Sequence, residues 1–275
     1  MSEAISVHHG DFGRAALYQL SKSMATHAHR EGHLIFYVDA STANVGVGSK
    51  TYRVDKTQAV AVSPWESHRF ELGEANAPCL CLVLYIKPMW FSDAGEYADS
   101  VMSFGRPDIF LTPEITRWVT RLTDHLMERE CSEEFDRDLF AMTQLCYEHS
   151  WNGTRDRSTI QLSNSRFSDY RVRRSLKLMR ENFADEVEID WLAREAGLSR
   201  PHFFKLFKQQ MGITPNLYLN TLRAEQAIED LMTSDKSVTE ISYDLGFSSQ
   251  ASFTRFFTSN VGIPPSDYRR VAHVA

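Results

Sequence analysis

Two groups of side chains in this sequence have types and spacings suited to chemistry. The first is imidazole: His27-Ala28-His29, then His33, then His68 at the end of Pro64-Trp65-Glu66-Ser67-His68. On a single strand, residues 27, 29 and 33 share one face, because side chains alternate with a period of two. Four imidazoles gathered in that way can hold Zn, Ni or Cu. The same histidines, with Phe36, Trp65 and Tyr85, can instead line a pocket for an organic small-molecule effector. In a third reading they form a metal-free scaffold and satisfy one another by hydrogen bonds. All three readings stay open on the residues alone.

The second group lies near the C-terminus on short amphipathic segments. Arg200, Pro201, His202, Phe204, Lys205 and Lys208 fall off the apolar face set by Phe203, Leu206 and Phe207. Gln250, Ala251, Thr254 and Arg255 fall off the equivalent face of Phe253, Phe256 and Phe257. Lys and Arg can bond guanine O6 and N7, Gln can pair with adenine, and Ala or Phe can touch a thymine methyl.

The elements that must position these residues are legible. Between residues 15 and 90, short strands are separated by turn signals: Leu34–Val38, Val45–Val47, Thr51–Val54, Ala59–Val62 and Cys79–Ile86. Strands this close, with no helical pattern between them, predict a barrel or jelly roll. The period then changes. Ile115, Trp118, Val119, Leu122 and Leu126 keep helical spacing behind a Thr112-Pro113 cap and first turn, and Phe135, Leu139, Met142 and Cys146 make a second stripe. These helices bury their stripes either on the barrel or against a second subunit. Residues 152–165 are mostly polar and aperiodic, and read as a linker. From Arg166 the chain is helical, with Val172, Leu176, Met179 and Phe183 on one face.

The back half contains an internal repeat. IDWLAREAGLSRPHFFKLFKQQMGITPNLY begins at Ile189, and VTEISYDLGFSSQASFTRFFTSNVGIPPSDY begins at Val238. Gly197 and Gly246 stand 49 apart, whereas Phe203 and Phe253, Phe207 and Phe257, and Tyr218 and Tyr268 stand 50 apart, so one residue is inserted in the second turn. In each copy, Asp190 or Thr239 is expected to cap a short helix that ends on the glycine, and Ser199 or Ser249 to cap the next. Two helices across a short glycine-containing turn form a helix-turn-helix. Ala224, Ala227, Ile228 and Leu231 predict a longer helix joining the copies.

The segment GFSSQASFTRFFTSNVGIPPSDYR resembles the signature of the AraC/XylS family of bacterial transcription regulators, and the first copy resembles its partner. The resemblance covers roughly 166–271. One departure is Phe257-Thr258, where the family usually carries Phe-Lys, which removes a phosphate contact without disturbing the fold. It implies that Pro201, Phe204, Lys205, Gln250, Ala251, Thr254 and Arg255 fall on base-reading positions, that the partner is double-stranded promoter DNA, and that RNA polymerase is contacted. The front half resembles the cupin jelly roll that often accompanies this unit. In metal-binding cupins an H-x-H pair, a Glu about four residues on and a later His meet in the barrel. Here His27, His29 and His68 match the histidines, and His33 stands in place of the Glu.

Composition agrees with this organisation. Of 275 residues, 43% are hydrophobic and 24% charged, which excludes a disordered chain, a collagen-like repeat and a simple coiled coil. The longest apolar run, Cys79–Ile86, is far short of a membrane span, and Met1-Ser2-Glu3-Ala4 does not begin a signal peptide. Residues 1–165 carry net −7 and 166–275 net +1, which suggests two domains with different partners. Cys79, Cys81, Cys131 and Cys146 read as structural, reduced thiols.

The expectation is an α+β multidomain chain: a cupin-like effector-sensing jelly roll over 1–111, a helical dimerisation or transmission segment over 112–151, a linker over 152–165, and a double helix-turn-helix over 166–275. Its function is that of a ligand-responsive regulator, more often an activator, homodimeric, cytoplasmic and nucleoid-associated, with no membrane partner and no catalytic role. The alternatives are a metal-sensing regulator and a metal-dependent cupin oxygenase with an appended DNA-binding domain. For the last, nothing beyond the histidines speaks.

Overall fold

The computed structural model describes residues 2–73, 77–93, 102–129, 133–152, 169–185 and 187–274. The chain divides into two units, Met1–Arg157 with Ser266–Ala275, and Ser158–Pro265.

The first unit is built on two sheets. Strands β1 (Glu3–Gly10), β2 (Gly13–Leu20), β3 (Gly32–Ala40), β6 (Gln58–Val62), β8 (Cys79–Ile86), β9 (Asp108–Phe110) and β10 (Ala272–Val274) form one, in the order β10-β1-β2-β8-β3-β6-β9. Strands β4 (Ala43–Val47), β5 (Lys50–Val54) and β7 (His68–Leu72) form the other, in the order β5-β4-β7. Every pairing is antiparallel except β1 with β10, which is parallel. The register sets a row of neighbours across the large sheet: His9 opposite Arg14, Arg14 opposite Tyr85, and Tyr85 opposite His33. Opposed residues project to the same side, so this row is a polar stripe on one face.

Three helices precede residue 153 in the described part of this unit: α1 (Pro88–Asp93), α2 (Pro113–Glu128) and α3 (Glu133–Trp151). Thr112 caps α2, its hydroxyl oxygen accepting from the Ile115 N–H at 3.2 Å, with Pro113 at the first helical position. The face of Ile115, Val119, Leu122 and Leu126 is buried, and α2 lies against β1, β2 and β3. That cover explains β2, where nearly every residue is buried rather than alternate ones: one face looks inward and the other meets a helix. Helix α3 packs on α2 and β9 and buries Phe135, Leu139, Met142 and Cys146. Arg121 joins the two helices, reaching Asp138 at 2.8 Å and also Glu134. Apart from the half-buried Trp118, both stripes are therefore buried within the unit.

The second unit is helical: α4 (Tyr170–Asn182), α5 (Ile189–Glu195), α6 (Arg200–Met211), α7 (Pro215–Thr233), α8 (Val238–Asp244) and α9 (Gln250–Val261). Helix α4 buries Val172, Leu176 and Met179, as its spacing predicts, and its cap is Asp169. Helix α7 buries Ala224, Ala227, Ile228 and Leu231 and packs on α6, α8 and α9, so the two repeats share one core element. A last helix, α10 (Pro265–Val271), leads into β10. The sequence pattern places 266–275 with the DNA-binding region, whereas in the structure these residues group with the first unit. The reason is the β1–β10 pairing, together with a 2.7 Å hydrogen bond between the Tyr268 hydroxyl and His9 Nε2. From residue 153 onward the expected linker lies outside the described residues, as do Arg166 and the start of the expected helix.

Candidate functional site

The two helix-turn-helix copies differ in how their first helix starts. Asp190 and Thr239 were expected to be caps, but the helices begin earlier, with Glu188 and Ser237 in those positions. Glu188 makes no side-chain capping bond, whereas Ser237 and Glu240 form a reciprocal capping box. Asp190 and Thr239 have another shared role. Asp190 pairs with Arg200 at 3.0 Å, and the Thr239 hydroxyl donates to Gln250 Oε1 at 2.7 Å. In both copies the second residue of the first helix thus holds the first residue of the second helix.

Gly197 and Gly246 end the first helices at φ +67° and +76°, the left-handed region where a side chain is strained. Ser199 and Ser249 occupy the expected caps, and only Ser249 makes the side-chain bond, accepting from Ser252 N–H at 3.2 Å. Phe203, Phe207, Phe253 and Phe257 are fully buried, while Leu206 and Phe256 are half-buried. On the other side of α6, Arg200, Pro201, His202, Lys205 and Lys208 are exposed and Phe204 is half-buried. On α9, Gln250, Ala251 and Arg255 are exposed and Thr254 is half-buried. Arg255 donates to the Ser252 hydroxyl at 3.1 Å, leaving most of its fork outward.

The histidines converge, though not along one strand. Only His33 belongs to β3, which begins at Gly32. His27 and His29 lie on the irregular segment before it, and His27 and His68 are bridged by reciprocal backbone hydrogen bonds of 2.9 Å. The Trp65 N–H donates to the His29 carbonyl at 2.7 Å, with Trp65 itself at φ +62°. All four imidazoles are buried. One ring nitrogen from each of His27, His29 and His68 lies within 4.8 Å of the others. His33 stands outside that trio and places Nδ1 3.0 Å from His68 Nε2.

Tyr85 closes one side, stacked on His33 at 4.4 Å and edge-on to His29 at 5.1 Å. Phe36 does not join the cluster. It is an odd number of residues from His33 on the same strand, so it projects from the opposite face, where it is buried. The Trp65 ring stands by Arg30, 6.0 Å from its guanidinium, and the Trp65 backbone N–H meets the His29 carbonyl.

Burial governs the electrostatics here. It lowers the His27 pKa to about 4 and that of His68 to about 3, with His27 adding to the effect on His68. His29 and His33 fall well below the usual range, first through burial and then through neighbouring imidazoles. At neutral pH all four rings are uncharged, the form that ligates metals or accepts hydrogen bonds. Arg14 was missed at the sequence level. Its guanidinium stacks 3.7 Å from the Tyr85 ring centroid, and its Nε is buried without a hydrogen-bond partner. A lone arginine in the apolar strand GRAALYQL was the available signal.

A double helix-turn-helix with equivalent outward faces, in a chain that also carries a β-rich unit with a buried polar cluster, fits a ligand-responsive, DNA-binding transcription regulator. Residues 192–271 match a family described as a helix-turn-helix domain. The chain is 27% identical to the HTH-type transcriptional activator RhaS of Escherichia coli over 250 residues, covering 88% of this chain and 86% of that protein. In both respects it is similar to regulators of the AraC/XylS type. Its fold resembles the crystal structure of ToxT from Vibrio cholerae O395, with a TM-score of 0.57 at 13% identity over 94% of this chain and 96% of that one. Wild-type ToxT of strain SCE256 bound to an unsaturated fatty acid aligns with a TM-score of 0.50 at 15% identity, over 94% of each chain. Among the described residues, no helix is long and apolar enough to cross a membrane.

Proposed function

We propose that this regulator is a homodimeric transcription activator that works on promoter DNA in the bacterial cytoplasm and engages RNA polymerase there. Its effector seat is the histidine cluster of the first unit. The observation that carries the DNA part is the pair of equivalent outward faces on α6 and α9, each backed by two fully buried phenylalanines on a core that shares α7. Lys205 and Arg255 read bases, while Arg200, His202 and Lys208 contact phosphates and set the docking register. Pro201, Phe204, Ala251 and Thr254 offer apolar contact to thymine methyls, and the Gln250 amide nitrogen remains free to donate when its oxygen is held by Thr239.

Activation is favoured by the likeness to RhaS, which is named an activator, and a buried effector by ToxT, whose structure holds a fatty acid. The reading is a regulator and not an enzyme: the buried polar cluster needs only a bound ligand to be useful, and no step of turnover is assigned to it. In vitro transcription tests the proposal. The full chain with RNA polymerase and a promoter chosen by sequence selection should raise transcript yield, and Lys205→Ala should abolish the rise. DNA binding that leaves yield unchanged or lowered contradicts the activator assignment.

A further inference from the structure

We propose that Arg14 anchors an organic-anion site inside the first unit, and that its ligand is a hydroxylated monocarboxylate. The inference rests on the reading of the neighbouring histidine cluster as the effector seat, extends that seat to Arg14 and names the class of its occupant.

Arg14 is a charge in a place that offers it no counter-charge. It is 5% exposed, on a strand buried along almost its whole length. A guanidinium does not shed its proton, so burial cannot neutralise it as it neutralises the imidazoles. Among the described residues no carboxylate lies within 4.0 Å of it, and Glu31 acts on it only from further away. The groups that face it are neutral. Tyr85 and Tyr268 offer hydroxyls to its terminal nitrogens. His9, opposite it in the register, is held uncharged by burial and by the guanidinium itself, with a pKa of about 3. The Arg14 Nε is buried with no hydrogen-bond partner. A buried charge without an opposite charge beside it is strongly destabilising. An anion on the Nε edge of the fork removes that cost, because a carboxylate accepts two parallel hydrogen bonds from Nε and the adjacent terminal nitrogen. Close backbone packing fixes the position: a Cβ on Gly13, at φ +125°, would lie 2.2 Å from the Tyr85 carbonyl oxygen.

The surroundings select the class. One fixed positive charge among neutral groups balances one negative charge, so a monocarboxylate fits and a phosphate ester, close to doubly charged at neutral pH, does not. The row across the sheet indicates what the rest of the ligand carries. Arg14 and His33 flank Tyr85 in the register, which sets their backbones about 10 Å apart at the usual strand spacing. Tyr85 touches both ends: the guanidinium lies 3.7 Å from its ring centroid and the His33 ring centroid 4.4 Å. At the far end, His29 Nε2 and His33 Nε2 are also buried without a hydrogen-bond partner. A neutral imidazole nitrogen either donates or accepts, and a hydroxyl does both, so hydroxyl groups satisfy either tautomer. A short hydroxy acid with its carboxylate on Arg14 thus pairs all three orphaned nitrogens with one molecule.

The test is a thermal-shift and promoter-affinity series on the full chain. The probes are aldonates, uronates and shorter hydroxy acids, each beside its neutral counterpart (alditol, sugar or diol), and fatty acids without hydroxyls. Expected are a rise in melting temperature with one or more hydroxy acids, none with the neutral counterparts, and a change in promoter affinity with the same acids. Arg14→Lys keeps the charge but loses the fork, and should weaken binding about tenfold or more. Arg14→Met should abolish the response and, because it removes an unpaired buried charge, should melt no lower than the natural chain without ligand. Circular dichroism and retained DNA binding check its folding, and His8→Gln, on the opposite face of β1 from His9, should keep the response. A panel in which no hydroxy acid raises the melting temperature overturns the assigned class. So does a response shared by the neutral counterparts or the fatty acids, or one that survives Arg14→Met. If ligand-free Arg14→Met melts well below the natural chain, protein neighbours already satisfy the guanidinium and the site falls. A neutral compound whose effect is abolished by His29→Gln but not by Arg14→Met leaves the effector seat standing and overturns only its extension to Arg14. A hydroxy acid that binds through Arg14 and leaves promoter affinity unchanged keeps the site and overturns its effector role.

Discussion

Gly197 and Gly246 occupy the same place in the two repeats and have nearly the same backbone, yet replacing each with alanine should have different consequences. Both sit in the left-handed region, which costs an alanine about 1–2 kcal/mol. Part of that is offset because alanine restricts the unfolded chain, so Gly197→Ala should cost about 1 kcal/mol net. A Cβ at Gly197 meets nothing within 4 Å. At Gly246 it would lie 2.1 Å from the Ala184 carbonyl oxygen and 3.1 Å from its carbon. Those are backbone atoms after α4, so relief requires moving the chain that leads into the first repeat. An overlap of this kind adds about 1–3 kcal/mol, bringing Gly246→Ala to roughly 2–4 kcal/mol. For a unit of this size 1 kcal/mol corresponds to about 4 °C, so the expected losses are about 4 °C and about 8–16 °C. Scanning calorimetry of the full chain reads both, with the transition of the second unit identified by its upward shift on adding cognate DNA. Equal losses in the two variants, or a milder effect at Gly246, would refute the argument that the two turns differ in what they touch.

Acid should weaken the first unit through His8, which packs against Phe12, Phe135 and His273. Burial first, and then His273, lower its pKa to about 4. A base whose folded pKa is depressed keeps its full contribution above the unfolded value near 6.5, loses it as pH falls towards 4, and loses no more below that, at up to about 1.4 kcal/mol per pH unit. His8→Gln should flatten that part of the acid limb in a melting-temperature series, and an unchanged slope would count against it. Ser237→Ala removes both halves of the capping box on α8 and should cost about 1 kcal/mol, whereas Glu188→Ala, at a cap with no side-chain bond, should cost far less; urea denaturation compares the two.

Most of the outward faces of α6 and α9, which we propose read DNA, were legible because helical periodicity and turn chemistry are local. Phe203 and Phe207 with Phe253 and Phe257 fix which side is inward, and the remaining positions follow. The caps at Asp190 and Thr239 were misplaced because Glu188 and Ser237 compete as starting residues, and only the structure shows Asp190 and Thr239 bonded to Arg200 and Gln250. In the first unit, strands with alternating or β-branched runs were readable. β2 is not among the strands named from the sequence, because cover on both faces erases the alternation. Phe36 could have been set aside from the sequence, since its odd separation from His33 already places it on the other face of a strand. Two features depend on pairing between distant segments and were out of reach: the His33–His68 bond, and the return of residues 272–274 to the edge of β1.

The central claim is that α6 and α9 read bases in DNA with equivalent faces. Selection of bound sequences from a random library, done with the natural chain and with Lys205→Ala and Arg255→Ala, tests it most directly. The account predicts a site with two recognition elements about one helical turn apart. Each substitution should cost about 1–3 kcal/mol of affinity and relax sequence preference in one element only, a different one for each variant. Uniform weakening across all sequences, with preference intact in both elements, would mean that these side chains touch phosphates and would contradict the claim.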